Sequence, residues 1–312
     1  MATGGIIFFL CIRKSCLKKW NYILSAILVF VLVCVGLDAS NGLPFLSRMV
    51  DTSKKAKLQA ALTSKEGITI SYDEKSLTLT LDKTGLSAKD SKGNTVPLTQ
   101  TSNGEWIIPF GSPVAARFME KDEALTCILQ LEEGSLEFVK TEEGYFYRNE
   151  DGKLDIMEKI PKLDLHGLEY LGSGRLYIWS RVIPMLKNYL LIGSGPDTFA
   201  EAFPQNDYVG KLIYAENPRR VMESAHNDYL TRWVQTGFLS LLALLVFYLW
   251  FFKRCFSFYR NCELQTKKQQ LGFGCFLACI CYLTCCFFSD SSLYTTPTFY
   301  LFAGIALASF TT

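Results

Sequence analysis

One of the chain's two histidines, His226, lies where a base acting on a membrane-borne substrate would be needed. Asn227 follows it, and Gly237 and Ser240 come later, at the start of a long apolar run. On a single helix, His226 and Gly237 are 11 residues apart and lie about 20° apart on one face. Imidazole can accept a proton near neutral pH. The pattern therefore predicts a general base at a membrane surface; the alternative is an interfacial histidine that only hydrogen-bonds a neighbour.

Four arginines in the same part of the sequence are candidate anion-binding residues. A guanidinium group binds phosphate oxygens in pairs and keeps its charge. The alternative for each is a solvated charge or a contact with lipid headgroups. Arg175 and Arg181 are six residues apart, so one helix presents them on different faces and at most one is expected to share a site with His226. The four candidates are Arg175, Arg181, Arg219 and Arg220.

A glycine turn, Gly193-Ser194-Gly195, allows two interpretations. Backbone N–H groups in such a turn can bind phosphate, which predicts Gly193 and Gly195 as substrate-binding residues. A simple helix end is the alternative, because glycine followed by proline commonly stops a helix.

Other chemistries lack the residues that they need. His226 has no histidine or cysteine four residues later, so a zinc site is not predicted. The sequence contains no serine nucleophile motif and no Walker-type phosphate loop. Five cysteines between Cys275 and Cys286 lie in an apolar segment without histidine or acid partners, which favours a packing role. We expect no metal, no cofactor and no nucleic-acid partner.

Apolar segments at both ends of the chain predict membrane helices. The chain is 49% hydrophobic, and a spanning helix needs roughly 20 mostly apolar residues. The basic loops Arg13–Lys19 and Lys253–Lys268 are expected on the cytoplasmic side. Residues 38–236 and the short turn Ser289–Thr296 are then extracytoplasmic. The apolar segments are Gly4–Ile12, Tyr22–Leu37, Phe238–Phe252, Leu271–Phe288 and Thr298–Phe310.

The middle of the chain predicts an antiparallel β domain. Apolar and polar residues alternate over Ile68–Tyr72 and Leu77–Leu81, which is the period of a half-buried strand. Turn dipeptides such as Asn103-Gly104 and Asp151-Gly152 recur between further apolar runs. We expect a small sandwich or barrel. The preceding stretch, Ser47–Leu62, is interpreted as a short charged helix or a linker.

Two helices are predicted after the β domain. Ser173 is a candidate N-cap of the first, which Pro184 should kink and which should stop at the Gly193 turn. Ser224 is a candidate N-cap of the second, which should run through His226 into Phe238–Phe252 without interruption.

Together these motifs resemble those of the O-antigen ligase and O-antigen polymerase superfamily, which are polytopic bacterial membrane proteins. The resemblance covers about Ser173–Phe252. The β domain lies outside it and looks like an insertion into the family's large extracytoplasmic loop. The family's motif ends in threonine where this chain has Ser240, which keeps the hydroxyl. The matching motifs are Arg175–Trp179, Gly193-Ser194-Gly195 with Thr198-Phe199, and His226-Asn227, nine residues and Gly237-x-x-Ser240.

The resemblance implies transfer of a glycan from an undecaprenyl-diphosphate carrier to an acceptor glycan or lipid-linked sugar. His226 would be the general base, and Arg175 would bind the diphosphate. The protein would be a multi-pass cell-membrane protein in contact with membrane lipid. Substrate-binding roles would fall to Arg181, Arg219, Arg220, Asn227, Gly193 and Gly195.

The predicted fold is an α-helical polytopic membrane protein with about four or five membrane helices and an extracytoplasmic antiparallel β domain. Residues 1–37 would form N-terminal membrane segments and 38–165 the linker and β domain. Residues 166–236 would form a catalytic-type loop with amphipathic helices, and 237–312 the C-terminal membrane helices.

The chain departs from the family in having fewer membrane segments, and it lacks an earlier outside loop with a further functional arginine. It therefore resembles the C-terminal half of such an enzyme, and a separate N-terminal membrane half is a candidate partner. Two other hypotheses remain open. The chain is either a non-catalytic, membrane-anchored protein that binds a glycan or a partner, or an inactive C-terminal fragment.

Overall fold

The computed structural model describes residues 56–121, 124–149, 151–165, 167–215 and 217–310. The predicted membrane segments within residues 1–37 and the second histidine, His166, lie outside these ranges. The described chain divides into two compact units. We call residues 56–184 and 203–222 the β unit, and residues 185–202 and 223–310 the helical unit. The predicted segment 166–236 contributes to both.

The β unit contains two antiparallel sheets, which confirms the predicted class of domain. Its strands are β1 Leu58–Thr63, β2 Ile68–Tyr72, β3 Lys75–Asp82, β4 Gly85–Asp90, β5 Thr95–Val96, β6 Thr99–Gln100, β7 Trp106–Ile108, β8 Val114–Lys121, β9 Ala124–Gln130, β10 Ser135–Thr141, β11 Gly144–Arg148 and β12 Leu154–Asp155. The first sheet has the order β1-β2-β3-β4-β5. The second has the order β12-β11-β10-β9-β8-β7-β6.

Alternating apolar residues explain why these strands form a sandwich. Ile70 of β2 is buried, while its neighbour Thr69 pairs with Thr78 of β3, their hydroxyl oxygens 3.2 Å apart. Leu79 of β3 and Phe138 of β10 are buried in one core that the two sheets share. Each fully buried large apolar side chain stabilises the fold by about 1.5–3 kcal/mol. The hairpins therefore pack face to face around this core.

Strand β1 contradicts one prediction. Leu58–Thr63 lies in the stretch interpreted as a charged helix or linker, but it pairs with β2. Leu58 and Ala61 are both buried, and the pairing register shifts between Leu58 and Ala60. The bulge spaces the buried residues three apart, which imitates a helical period. Pairing with β2 overrides that local pattern, and the prediction was wrong for Leu58–Leu62. Residues 47–55 of the same stretch lie outside the described residues.

The helices of the described chain are α1 Arg175–Met185, α2 Phe199–Ala202, α3 Tyr208–Ala215, α4 Asp228–Thr236, α5 Phe238–Asn261, α6 Lys267–Cys285 and α7 Thr295–Ala308. In this part of the chain, α5 is the one helix long and apolar enough to cross a membrane. The predicted segment Phe238–Phe252 lies within it. The number of membrane helices stays a prediction.

Helices α5, α6 and α7 share an aromatic core in the helical unit. Phe251, Phe276 and Phe299 are buried there, one from each helix. Cys275 and Cys279 of α6 are buried in the same core, where they act as small packing residues.

The helix predicted to run through His226 into α5 is broken on both sides of α4. His226 is not helical: its φ is 48°, and α4 begins two residues later. Asn227 is the N-cap of α4, accepting a hydrogen bond from the N–H of Leu230. Gly237, with a φ of 86°, separates α4 from α5. The single-helix prediction was wrong, because Asn227 supplies a strong N-cap and glycine readily adopts the left-handed region.

The predicted limits of the first helix also change. Helix α1 begins at Arg175, whereas Ser173, the candidate N-cap, has a φ of 59° and lies two residues earlier. Pro184 lies in the last turn of α1, and the chain continues as a short 3-10 turn, Leu186–Tyr189. The helix therefore ends before the Gly193 turn rather than at it.

Candidate active site

His226 and Asp290 form a polar pair in the helical unit. The Nδ1 atom of His226 lies 3.0 Å from Oδ2 of Asp290. The same oxygen accepts a 2.6 Å hydrogen bond from the Ser224 hydroxyl. The Thr231 hydroxyl donates to the other carboxyl oxygen at 3.3 Å. The imidazole is 43% exposed and the carboxyl 28% exposed, so a ligand can reach the pair.

Backbone contacts between two segments position this pair. His226 lies just before α4, and Asp290 lies in the turn that follows α6. The N–H of Asp228 donates to the carbonyls of Cys286 and Ser289, at 2.9 and 3.1 Å. The side-chain amide of Asn227 donates to the carbonyl of Phe287 at 3.1 Å. These bonds fix the start of α4 against the turn, and so fix His226 against Asp290.

Hydrogen bonding determines which imidazole nitrogen carries the proton. A carboxylate only accepts hydrogen bonds, so Nδ1 donates to Asp290 and Nε2 keeps the free lone pair. Burial raises the pKa of the Asp290 carboxyl, but hydrogen bonds from His226 and Ser224 outweigh it and hold the pKa below its ordinary value. The carboxylate therefore stays ionised at neutral pH and orients Nε2 outward as a proton acceptor.

Asp290 is expected to stabilise the helical unit at neutral pH and to stop doing so in acid. Because its folded pKa is lowered, the stabilisation is present above the unfolded carboxyl pKa of about 3.9 and is lost as the pH falls through the folded pKa. Thermal unfolding of the detergent-solubilised protein between neutral and acidic pH measures this. As the pH is lowered, the midpoint temperature of unfolding should fall more in the wild type than in Asp290→Asn. Equal pH dependence in the two proteins would contradict the stabilising role of the Asp290 carboxylate.

The predicted substrate-binding residue Asn227 has a structural role in this arrangement. It is 6% exposed, and its side chain both caps α4 and holds the turn after α6. These two hydrogen bonds use its carbonyl oxygen and its amide. The geometry places Asn227 behind His226 as a support.

The Gly193-Ser194-Gly195 turn packs against the end of α4. The N–H groups of Ser194 and Gly195 donate to the carbonyls of Val234 and Gln235, at 2.8 and 2.9 Å. A Cβ atom on Gly193 would overlap the backbone carbonyl group of Gln235. Two of the turn's N–H groups are therefore already used, and Gly193 is required for close packing. The geometry does not support the phosphate-binding interpretation of Gly193 and Gly195.

The four candidate arginines belong to the β unit, whereas His226 belongs to the helical unit. Arg175 begins α1, and its Nη1 donates to the carbonyl of Gly172 at 2.8 Å. Its Nε is buried and has no hydrogen-bond partner in the described part of the chain. A buried guanidinium N–H without an acceptor is costly. The geometry of Arg175 therefore suits an anionic ligand.

Arg181 is buried and paired with Asp207. Its side chain is 5% exposed, and its Nε donates to Oδ2 of Asp207 at 2.8 Å. The guanidinium lies 4.6 Å from the centre of the Tyr177 ring, and the Tyr177 hydroxyl donates to the same Asp207 oxygen at 3.1 Å. These contacts join α1 to the start of α3. They favour a structural role for Arg181 over the predicted substrate-binding role.

Arg219 and Arg220 lie in an exposed turn. The side chain of Arg219 is 48% exposed, and its Nη2 is 3.7 Å from a carboxyl oxygen of Asp151. The backbone N–H groups of both arginines donate to Asn217, at 2.9 and 3.1 Å. Their exposure leaves both side chains able to meet a solvent-borne anion.

Sequence reasoning missed Asp290 and Ser224 as partners of His226. Asp290 is the acidic residue of the short turn that was already predicted to lie on the same side of the membrane as His226. The predicted location of both residues on the same side of the membrane was the one signal in the sequence that could have identified Asp290 as a partner of His226. As for metals, no group of three or more potential ligands lies together among the described residues.

Comparison with known families agrees with the motifs. The family model Wzy_C, described as O-Antigen ligase, matches residues 151–245. This range contains α1, the Gly193 turn, His226 and the start of α5, and it excludes most of the two sheets. No match was found among curated proteins or solved structures.

The matched family consists of membrane proteins and includes glycosyltransferase-like ligases. The match supports a glycan-processing function of the O-antigen ligase and polymerase type. Over residues 151–245, it supports the chain's membership of the O-antigen ligase and polymerase superfamily.

Proposed function

We propose that the chain transfers a glycan from an undecaprenyl-diphosphate carrier to an acceptor sugar hydroxyl, with His226 as the general base. The observation that carries this proposal is the hydrogen bond between Nδ1 of His226 and the Asp290 carboxylate. It leaves Nε2 free on a partly exposed imidazole, within the segment that matches the ligase family.

The chemistry requires one proton acceptor and one anion-binding group. Nε2 of His226 accepts the proton of the acceptor hydroxyl while the hydroxyl oxygen attacks the anomeric carbon of the donor sugar. The bond between that carbon and the diphosphate oxygen breaks, and undecaprenyl diphosphate leaves with the bonding electrons. The diphosphate is already a good leaving group, so the protein needs to deprotonate the alcohol and to balance charge. Neither role requires a metal.

Arg175 is the arginine we assign to the diphosphate. Its buried Nε lacks an acceptor among the described residues, so an incoming anion satisfies it. Arg219 and Arg220 are exposed and serve as weaker helpers in substrate capture. Arg181 is left out of the substrate site because Asp207 already neutralises its charge.

We also propose the arrangement of this enzyme in the cell membrane. Helix α5 spans the bilayer, and residues 38–236 face the extracytoplasmic side, where lipid-linked glycans would be joined.

Arg175→Lys should separate diphosphate binding from the chemical step. Lysine keeps the charge but not the planar fork, so we expect KM for the lipid-linked donor to rise by roughly tenfold, the effect of losing one charge-assisted hydrogen bond. The assay follows loss of labelled lipid-linked oligosaccharide and gain of extended product in membranes that contain the chain, with and without an upstream membrane half. Arg117→Lys is the control, because the partly exposed Arg117 guanidinium pairs with Glu105 and has no assigned part in the transfer site.

Two results would contradict the proposal. One is the absence of product from the wild type in both membrane preparations, which would favour a non-catalytic or inactive chain. The other is an unchanged KM in Arg175→Lys, which would remove Arg175 from the site while leaving the role of His226 to its own test.

A further inference from the structure

A cleft of about 770 Å³ lies within the β unit. Its walls are strand β1, the extended segment that follows Met157, and the start of helix α3. Ligand pockets usually measure about 300–1,000 Å³, so the cleft is large enough for several linked rings. His226 and Arg175 do not line it. It therefore needs an explanation separate from the transfer chemistry.

Glu169 is the feature of the cleft that points to a ligand. Its side chain lines the cleft, the residue is 4% exposed, and its Oε2 is buried without a hydrogen-bond partner in the described part of the chain. Buried polar atoms are nearly always satisfied, so an unsatisfied carboxyl oxygen in a cleft wall implies a missing donor. A hydroxyl or an amide N–H of a ligand would supply it.

Aromatic rings supply the apolar part of the cleft. Tyr170, Tyr208 and Tyr214 all line it and are half-buried. The Tyr170 and Tyr214 rings lie edge to face with their centres 4.8 Å apart. The Tyr208 hydroxyl donates to Asp155, which holds that ring in place. Tyrosines present flat apolar surface together with polar edges, which suits a ligand that is apolar on one face and hydroxylated around its rim.

The charges in the cleft argue against an anionic ligand. Its buried cation, Arg181, is neutralised by Asp207. Lys159 and Lys162 also line the cleft, but they are exposed, and Glu158 lies beside Lys159. The buried group that lacks a partner is an acceptor. The ligand that suits this cleft is therefore uncharged, rich in hydrogen-bond donors and built of rings.

We propose that this cleft binds an uncharged oligosaccharide, with Oε2 of Glu169 accepting a hydrogen bond from one sugar and the tyrosine rings packing on sugar faces. The cleft then gives the β unit a glycan-binding role of its own. This inference does not depend on the proposed transfer reaction, and it holds whether or not His226 acts as a base.

The test uses the full chain in detergent and three oligosaccharides of equal length. One consists of neutral hexoses, one of N-acetylhexosamines and one of uronic acids. Saturation-transfer NMR detects contact, and a titration gives the dissociation constant. At least one uncharged probe should bind, and the uronic acid probe should bind more weakly because its carboxylates meet Glu169.

Glu169→Gln should weaken binding of the uncharged probe by about tenfold or more, the change expected when a charge-assisted hydrogen bond is lost. Glu137→Gln is the control, because Glu137 is a partly buried glutamate of β10 that pairs with Arg148 and lies outside the cleft. If Glu169→Gln unfolds, Ala60→Leu fills the cleft from β1 and should also weaken binding. Failure of both uncharged probes to bind, preference for the uronic acid probe, or unchanged binding in the folded cleft variant would overturn the proposal.

Discussion

Replacing His226 with alanine is expected to lower the rate of glycan transfer by about 10²–10⁴-fold, the usual contribution of a positioned general base. The variant keeps the N-cap at Asn227 and the backbone bonds between Asp228 and the turn after α6. The site should therefore fold while losing its proton acceptor. The backbone at His226 has a φ of 48°, in the left-handed region that favours glycine, so the transfer rate is normalised to the amount of folded protein.

Asp290→Asn should reduce the same rate by a smaller factor. The amide can still contact Nδ1, but it no longer selects the tautomer or stabilises the imidazolium that forms during transfer. Ser292→Ala is the control in the same turn, because the Ser292 hydroxyl bonds to Thr295 rather than to the pair. A loss of transfer in Ser292→Ala equal to that in Asp290→Asn would indicate a general effect of the turn.

Replacing Arg181 with alanine is expected to destabilise the β unit by about 3–5 kcal/mol, the cost of leaving one partner of a buried ion pair unpaired. The side chains of Arg181 and Asp207 are 5% and 8% exposed, so solvent screens their interaction very little. Asp207 would keep its hydrogen bonds from Tyr177 and from the N–H of Gly210, which offset part of the cost. Chemical unfolding of the purified chain, followed by tyrosine fluorescence, measures the change.

Arg219→Ala is the matched control for this prediction. Arg219 also faces an aspartate, Asp151, but the two side chains are 48% and 66% exposed and their closest atoms are 3.7 Å apart. Exposed ion pairs contribute about 0–1 kcal/mol, so this variant should unfold like the wild type. Equal effects of the two substitutions would show that burial does not distinguish the pairs. An Arg181→Ala protein that is stable but loses transfer would restore Arg181 to the substrate site.

The β hairpins were predictable because their signals are local. In β2 and β3 the apolar residues alternate strictly, and glycine turns mark the ends of several strands. Strand β1 was not predictable in the same way, since its bulge disrupts the alternation and its pairing with β2 supplies the missing information. Strict alternation of apolar and polar residues therefore identifies a strand when one of its faces is buried along its whole length and no bulge interrupts it.

The candidate site shows the same limit. His226 could be identified from its motif, but its partner Asp290 is 64 residues later, and no local pattern joins them. The predicted helix is broken at two places that the sequence pattern did not reveal. Asn227 caps the start of α4, and Gly237, with its positive φ, ends α4. The arginines could be proposed as a set, whereas burial and pairing were needed to separate Arg175 from Arg181.

The central claim is that His226, oriented by Asp290, is the base for glycan transfer. The most direct test is the initial rate of transfer from lipid-linked oligosaccharide in matched membranes that contain the wild type, His226→Ala, Asp290→Asn or the double variant. The account predicts a large loss in His226→Ala and no further loss in the double variant, because Asp290 acts through the imidazole. Equal rates in the wild type and His226→Ala would contradict it.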